Sequence, residues 1–178
     1  MNAPRSNYED PCRFLQTHGY LDAGELPPLP DHPPRYDDPE PLGVNFFRTM
    51  VPDEVPLDNL TLPRTFFGRS EVNQASFRNT DLSESNLCWN DFLGVDFTGA
   101  ILVRADMRAS QFVDVTFTAA DLRGADMRRS SFERCTFDGA VLDGAVLTKD
   151  QAKMLSLTEK QRQAIDWRSD PGDEPGGG

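Results

Sequence analysis

A strict five-residue period in the middle of the chain constrains its fold more than any other feature. Every fifth residue from Leu62 to Leu147 is large and apolar, without exception over 18 positions, and the residue two places earlier is usually small. A period of five matches neither the 3.6-residue period of a helix nor the alternation of a long strand. It predicts a short extended segment followed by a turn. The small and the large residue point inward, and the residue between them points outward.

A second period, four times as long, is superimposed on the first. Every fourth repeat from Leu62 to Leu142 has leucine as its large residue, and phenylalanine recurs in the same way from Phe77 to Phe137. Four five-residue segments that close one coil explain this pattern, because like residues then stack from coil to coil. The 18 segments predict about 4.5 coils and, at about 4.8 Å per strand spacing, a stack roughly 22 Å tall. Glycines at corner positions such as Gly94 and Gly99 predict a positive φ there.

Several of these segments resemble the repeat unit of a known family. Thr80–Glu84 (TDLSE), Ala120–Gly124 (ADLRG) and Ala125–Arg129 (ADMRR) are similar to the A-(D/N)-L-x-x unit of pentapeptide-repeat proteins. The resemblance covers residues 60–149 and implies that family's fold, an all-β solenoid called the right-handed quadrilateral β-helix. Among its members are gyrase-protecting quinolone-resistance proteins, which are acidic rods thought to imitate DNA and which dimerise through C-terminal helices.

The chain is divided by composition into four parts. Residues 1–56 hold 11 of the 14 prolines and four Arg against ten Asp and Glu. We interpret them as an acidic arm, with a short helix begun by Asp10-Pro11 and ended by Gly19, that packs on the open N-terminal end of the stack. We interpret the proline-rich stretch within this arm as a spacer or, alternatively, as a PxxP ligand. Residues 57–149 form the β-helix, 150–168 form two short helices, and 169–178 form a disordered tail.

The C-terminal helices have one apolar side. Thr158 to Gln161 resembles a capping box. The exposed end of a coil stack needs a cover, because its last backbone groups and apolar side chains would otherwise invite association. The apolar residues either cap the last coil or form a homodimer contact. They are Met154, Leu155, Leu157, Ile165 and Trp167.

Composition argues against several classes of protein. The net charge of −11 disfavours direct nucleic-acid binding, which needs a surplus of Lys and Arg. Three scattered cysteines fit a reducing compartment better than a disulfide framework. The chain shows no signal-peptide pattern and no apolar run long enough to cross a membrane. We therefore expect a cytoplasmic protein with no membrane partner.

The sequence predicts no catalytic, cofactor-binding or metal site. Its two histidines are His18 and His32, and neither belongs to a recognisable catalytic or metal-binding motif. An enzymatic alternative would have to use these histidines with Cys12 and nearby carboxylates. The recurring Asp residues occupy the outward repeat position, where a structural role explains them. Cys88 is expected to point outward beside Trp89.

Function is therefore sought on the outer faces, where two surfaces stand out. The first, the arginine corner, offers a protein docking patch, although its arginines can instead pair with neighbouring aspartates. The second, the acidic face, includes two outward apolar residues inside a negative field. The arginine corner comprises Trp89, Arg104, Arg108, Arg123, Arg128 and Arg129. The acidic face comprises Glu71, Asp91, Leu93, Asp96, Val113, Asp114, Glu133 and Asp138.

These surfaces support a non-enzymatic module that binds a protein partner through its outer faces. Two specific versions remain open. One is an acidic DNA mimic that protects or inhibits DNA gyrase or topoisomerase. The other is an immunity or effector-associated protein that binds a toxin.

Overall fold

A computed structural model describes residues 8–40, 42–51 and 56–169 of the chain. Helix α1 (Glu9–Thr17) precedes β1 (Asn45–Phe47) and β2 (Met50–Val51). The next five strands are β3 (Phe66–Gly68), β4 (Glu71–Asn73), β5 (Asp91–Leu93), β6 (Gln111–Val113) and β7 (Ser131–Glu133). The chain then forms β8 (Val146–Leu147), a 3₁₀ turn (Gln151–Lys153), α2 (Glu159–Ala164) and β9 (Asp166–Trp167). Most predicted tail residues, 170–178, lie outside the described part.

The coils are joined by parallel pairing between residues that are one coil apart. One sheet contains β2, β4, β5, β6 and β7 in that order, with Phe92 opposite Phe112 and Phe112 opposite Phe132. On the other sides the contact consists mainly of single parallel bridges, such as that between Asp81 and Ile101, with the short strand pairs β1–β3 and β8–β9 near the two ends. The predicted four-sided β-helix is confirmed.

Each repeat forms for the reason that the five-residue period predicts. Along one side of the coil, Ala120 and Leu122 are fully buried, whereas Asp121 between them is partly exposed. The corner residue two places after the large one takes a positive φ, as in Gly124 at 67°. Non-glycine residues adopt the same conformation, and Ala119 has a φ of 55°. Glycine relieves the corner, but the fold does not require it at every corner.

Stacked aromatic rings fill two of the four inner columns. Phe92 and Phe112 have ring centroids 5.0 Å apart and nearly parallel planes. Phe112 also meets Phe117, in the neighbouring column, edge-on at 5.6 Å. Such offset and edge-to-face contacts are favourable ring geometries. The predicted stacking of like on like therefore produces one continuous core.

The stack is longer than the sequence predicts. It has about six turns instead of about 4.5, because it is extended at both ends: Asn45–Val51 forms an additional turn that pairs below Phe66–Val72, and β9 pairs beyond β8. Phe46 pairs with Phe67, one position further along the chain than a regular coil would place its partner. The large buried residues before Leu62 thus follow an interrupted spacing, and a search for a strict period of five cannot detect this turn. The predicted boundary at residue 57 is therefore too late.

The N-terminal helix covers the first turn. Cys12 and Leu15 are fully buried in the same core cluster as Phe46. The helix begins at Glu9, with Tyr8 instead of the predicted Asp10 at its N-cap, and Tyr8 makes no side-chain cap hydrogen bond. Gly19 ends the helix as predicted, with a φ of 78°.

The C-terminal segment closes the other end of the stack. Strand β9 pairs with β8 in the register of a further coil. Gln151 donates from Nε2 to the carbonyl oxygens of Met127 (2.7 Å) and Ser130 (2.8 Å). Thr158 and Gln161 form the predicted capping box of α2. Gln161 also donates from Nε2 to the carbonyl oxygens of Phe137 (2.7 Å) and Ala140 (3.0 Å), so both glutamine amides supply donors to carbonyls that no further coil would reach.

Candidate functional site

The arginine corner surrounds a surface cavity of about 350 Å³. Four of its six predicted residues line this cavity, and three further residues complete the lining. Arg104 lies outside it and lines a neighbouring hollow against the proline-rich segment. Arg123 is paired with Asp121 at 2.7 Å and lines neither. The cavity is lined by Tyr36, Cys88, Trp89, Arg108, Ala109, Arg128 and Arg129.

The cavity arises from a change of side-chain size along one corner of the solenoid. Trp89, Ala109 and Arg129 occupy the same corner position on three successive coils, with φ values of 58°, 55° and 62°. Successive coils lie about 4.8 Å apart. The methyl group of Ala109 therefore leaves a notch between two large side chains. Trp89 is 56 % exposed, which is high for a tryptophan.

Two of the arginines that line the cavity are held in place by the aspartate two residues earlier on the same coil. Arg108 donates from Nε (2.8 Å) and Nη2 (2.6 Å) to Asp106. Arg128 makes the equivalent pair with Asp126, with Nη2 2.7 Å from Oδ2. Such two-point contacts fix the plane of a guanidinium. The sequence offered pairing with aspartates as the alternative role of these arginines. In the structure, those ion pairs fix the orientation of the guanidinium groups.

Charge and burial set the titration of these groups. Burial acts to raise the pKa of Asp106, but hydrogen bonds from Arg108 and Cys88 outweigh it and leave that pKa lowered. The hydrogen bond from Arg123 likewise lowers the pKa of Asp121. Both carboxylates are charged at neutral pH, so each offsets the charge of its arginine.

Cys88 does not have the exposure that the sequence suggests. It is buried, with 2 % of its surface exposed, and it donates from Sγ to the carbonyl oxygen of Asp106 at 3.6 Å. Burial is the largest of the causes that raise the pKa of its thiol. A thiol that resists ionisation is a poor nucleophile, so the cavity does not contain an activated cysteine.

The proline-rich segment reaches this surface, which the sequence did not predict. Arg64 donates from Nη1 to the carbonyl oxygen of Pro30 at 2.7 Å, and Asn86 donates from Nδ2 to that of Pro34 at 3.2 Å. Arg69 donates to the hydroxyl of Tyr36. The Tyr36 ring lies 6.2 Å from that of Trp89. The arm thus crosses an outer face as well as covering the N-terminal end.

The acidic face is divided between two sides of the solenoid. Glu71 pairs in register with Asp91, and Leu93 with Val113, on the sheet formed by β4–β7. The sheet also carries Glu133. Part of the negative charge is neutralised locally. Arg134 lies 2.6 Å from Asp114 and also pairs with Glu133, and Arg78 lies 3.5 Å from Asp96. The hydrogen bond from Arg134 lowers the pKa of Asp114. Asp96 immediately precedes Phe97 and Asp138 immediately follows Phe137, so both lie on the adjoining side of the solenoid.

The C-terminal apolar residues mostly face the core. Leu155 and Ile165 are buried in the core cluster, with Leu157 and Trp167 packed against it. Trp167 donates from its indole nitrogen to the carbonyl oxygen of Arg162 at 2.9 Å. Met154 is 50 % exposed. In this arrangement the set caps the stack, and of its five members Met154 presents the largest exposed fraction to any second chain.

The residues of the enzymatic alternative lie in different environments. Cys12 lies on the buried side of α1, whereas His18 and His32 are exposed. Within residues 8–40, 42–51 and 56–169, no group of three or more His, Cys, Asp or Glu is placed to hold a metal ion. The same residues contain no helix that is both long and apolar enough to span a membrane.

Comparison with known proteins identifies the repeat. The family profile of pentapeptide repeats matches residues 73–108 and 110–148 as eight copies. No curated protein matches the chain.

Solved structures share the fold. Rfr23, a pentapeptide-repeat protein from the cyanobacterium Cyanothece, is 22 % identical with a TM-score of 0.54, over 57 % of this chain and 82 % of Rfr23. HetL from the cyanobacterium Nostoc, involved in the regulation of heterocyst differentiation, is 17 % identical with a TM-score of 0.51, over 58 % of this chain. The matched part spans 48 % of the length of HetL. At these identities the likeness concerns the fold alone.

Proposed function

Residues 73–108 and 110–148 of this chain belong to the pentapeptide-repeat family, and from that premise we propose that the protein is a non-enzymatic module that binds a protein partner through its outer faces. The repeat commits the inward residues to the core. The outward residues are free to vary, and a partner protein can recognise them.

One observation carries this proposal: the arginine corner presents aromatic and guanidinium groups around a preformed cavity. Trp89 and Tyr36 are exposed by 56 % and 39 %, and Arg108, Arg128 and Arg129 line the same cavity. Tryptophan, tyrosine and arginine are the residues most enriched among binding hot spots. They lie on rigid coils and on a tethered arm, so little ordering is needed on binding.

Site-specific photo-cross-linking in the source organism tests the proposal. A photoreactive phenylalanine analogue replaces Trp89 on the arginine corner, Gln111 on the sheet of the acidic face, or Lys160 on α2. All three positions are exposed. We expect one discrete protein adduct from Trp89 or Gln111 and none from Lys160. The absence of any adduct from both outer faces would contradict the proposal.

A second candidate is an acidic mimic of DNA that protects or inhibits DNA gyrase or topoisomerase. Glu71 and Asp91 favour it, because they are paired on neighbouring strands about 4.8 Å apart and so bring two carboxylates close together on one sheet. The net charge of −11 agrees with it. Arg134 and Arg78 weaken the field on the same face. A gyrase supercoiling assay with and without the protein tests this candidate, and no effect at micromolar protein would exclude it. If gyrase is inhibited, the double substitution Glu71→Gln and Asp91→Asn should abolish the inhibition.

A toxin partner remains the other specific version of the main proposal. A toxin recognised by the arginine corner would yield its adduct from Trp89 and would leave gyrase activity unchanged. The two assays together therefore separate the versions.

A further inference from the structure

We propose that the notch over Ala109 is a binding site for a peptide segment of a partner protein that carries a carboxylate next to an aromatic side chain. The inference rests on the proposed protein-binding function and specifies the chemistry that one face recognises. It concerns the cavity lined by Tyr36, Cys88, Trp89, Arg108, Ala109, Arg128 and Arg129.

The shape of the notch selects a flat apolar group. Ala109 lies between the rungs of Trp89 and Arg129, which are about 9.6 Å apart if successive rungs are about 4.8 Å apart. An aromatic ring is thin enough to enter over the methyl group. It would then contact the indole of Trp89 on one side and a guanidinium on the other, and both kinds of contact favour aromatic rings.

The size of the cavity limits the ligand to a short segment. Its volume of about 350 Å³ is near the lower end of the range for ligand sites, roughly 300 to 1,000 Å³. This space suits one ring and one adjacent polar group. A folded surface could present both on a single loop.

The charge of the lining selects the polar group. Among the described residues, the lining contains three arginines and no acidic residue, and Arg108 and Arg128 are paired with Asp106 and Asp126 beside it. Arg108 donates to Asp106 from Nε and Nη2, so Nη1 of the Arg108 guanidinium lies outside the ion pair. An incoming carboxylate meets a donor that is already oriented, which reduces the entropy lost on binding.

The arm completes the site. Tyr36 forms one wall, and its hydroxyl accepts hydrogen bonds from Arg69 Nε (3.1 Å) and Nη2 (2.7 Å). Its ring is tilted by 43° against that of Trp89. The two rings form an open angle that a third ring can enter, and Cys88 closes the floor as a buried thiol.

Fluorescence anisotropy with a defined peptide tests the inference. The probe is the C-terminally amidated hexapeptide Gly-Ser-Glu-Phe-Glu-Gly, labelled with fluorescein at its N-terminus. Two matched probes carry glutamine for both glutamates or alanine for the phenylalanine. We expect the full-length protein to bind the first probe at least about tenfold more tightly than either of the others, since a charge-assisted hydrogen bond or a buried ring contributes that much. Added salt should weaken binding of the first probe.

A pair of substitutions separates the notch from the rest of the surface. Ala109→Gln fills the notch with a residue that the fold already carries at an equivalent corner, since Gln74 has a φ of 51°. Ala119→Gln is the matched control, because Ala119 has the same φ of 55° as Ala109 but lines no part of the cavity. We expect Ala109→Gln to weaken binding at least about tenfold, and Ala119→Gln to leave it unchanged.

Several results would each overturn the inference. They are equal binding of the glutamate and glutamine probes, equal binding by the two glutamine variants, or no binding of any probe. Saturable binding of AMP that Ala109→Gln abolishes, without peptide binding, would assign the notch to a nucleotide and would equally overturn it. In all these cases a protein adduct from Trp89 or Gln111 would still uphold the proposed function, so failure of the notch and failure of the function are distinguishable.

Discussion

A ladder of buried polar side chains runs up one corner of the core, and Ser110 is its central member. Ser110 is 1 % exposed. Its hydroxyl donates to the carbonyl oxygen of Leu87 at 2.6 Å and accepts from the backbone N–H of Asn90 at 3.0 Å. Ser130 repeats this geometry one coil further on. One coil earlier, Oδ1 of Asn90 accepts a hydrogen bond from the backbone N–H of Ser70 at 2.7 Å, and its Nδ2 donates to the carbonyl oxygen of Phe67 at 2.8 Å. The large Asn90 thus finds the partners that its buried position requires.

The substitution Ser110→Ala removes two hydrogen bonds at once. It leaves the N–H of Asn90 and the carbonyl of Leu87 without these partners in a buried place. Each stranded group costs about 1 to 3 kcal/mol, so we expect the free energy of unfolding to fall by about 3 kcal/mol. If the slope of urea unfolding is about 2 kcal/mol per molar, the midpoint falls by about 1.5 M.

Urea unfolding followed by far-ultraviolet circular dichroism measures the effect against two matched variants. Ser131→Ala alters an exposed serine next to the ladder and should change stability by no more than about 0.5 kcal/mol. Ser110→Asn copies the side chain that Asn90 uses in the same ladder and should restore much of the loss. If Ser110→Ala and Ser131→Ala shift the midpoint equally, the ladder does not stabilise the coils.

Three further predictions concern the core, the cap and pH. Phe112→Ala, in the middle of the aromatic stack, should destabilise the fold by about 3 to 5 kcal/mol and Phe112→Leu by less, as measured by urea unfolding; no loss for Phe112→Leu would argue against a contribution from ring stacking. Gln151→Leu should cost about 2 to 4 kcal/mol, because it strands two carbonyls at the last coil; Gln163→Leu on exposed α2 is its control, and equal effects would refute a capping role. The hydrogen bond from Arg64 lowers the pKa of Glu84. The ionised Glu84 carboxylate therefore stabilises the fold at pH values above the ordinary glutamate pKa. This stabilisation is lost as the pH falls through the lowered pKa. Unfolding measured from pH 7 to pH 3 should show a shallower loss for Glu84→Gln than for the unaltered protein, and parallel curves would contradict this assignment.

The repeat itself was predictable from sequence, because it depends on contacts between residues that are always one coil apart. A large residue such as Phe112 meets the residues 20 positions before and after it, here Phe92 and Phe132, so the linear order of the chain contains the packing. The additional turn at Asn45–Val51 was missed because Phe46 pairs with Phe67, one position beyond the regular register, which breaks the period. Local chemistry also sufficed for Gly19 and for the capping box of α2.

The candidate site was only partly predictable. The sequence named Trp89 and five arginines, since the period assigns each to a corner or a face. It did not find Tyr36, because the arm has no repeat from which a position can be counted. Nor did it single out Ala109, whose significance lies in the space that it leaves between two larger neighbours.

The sequence alone determines the coil, the inward residues and the side to which each outward residue belongs. These follow from a period that couples side-chain size to position, because every coil repeats the environment of the previous one. The tertiary structure decides where the arm lies, which arginines are paired and where a cavity remains. Those features depend on contacts such as that of Arg64 with Pro30, between segments that share no register. The filled interior is thus specified by a local rule, whereas the surface available to a partner depends on long-range packing.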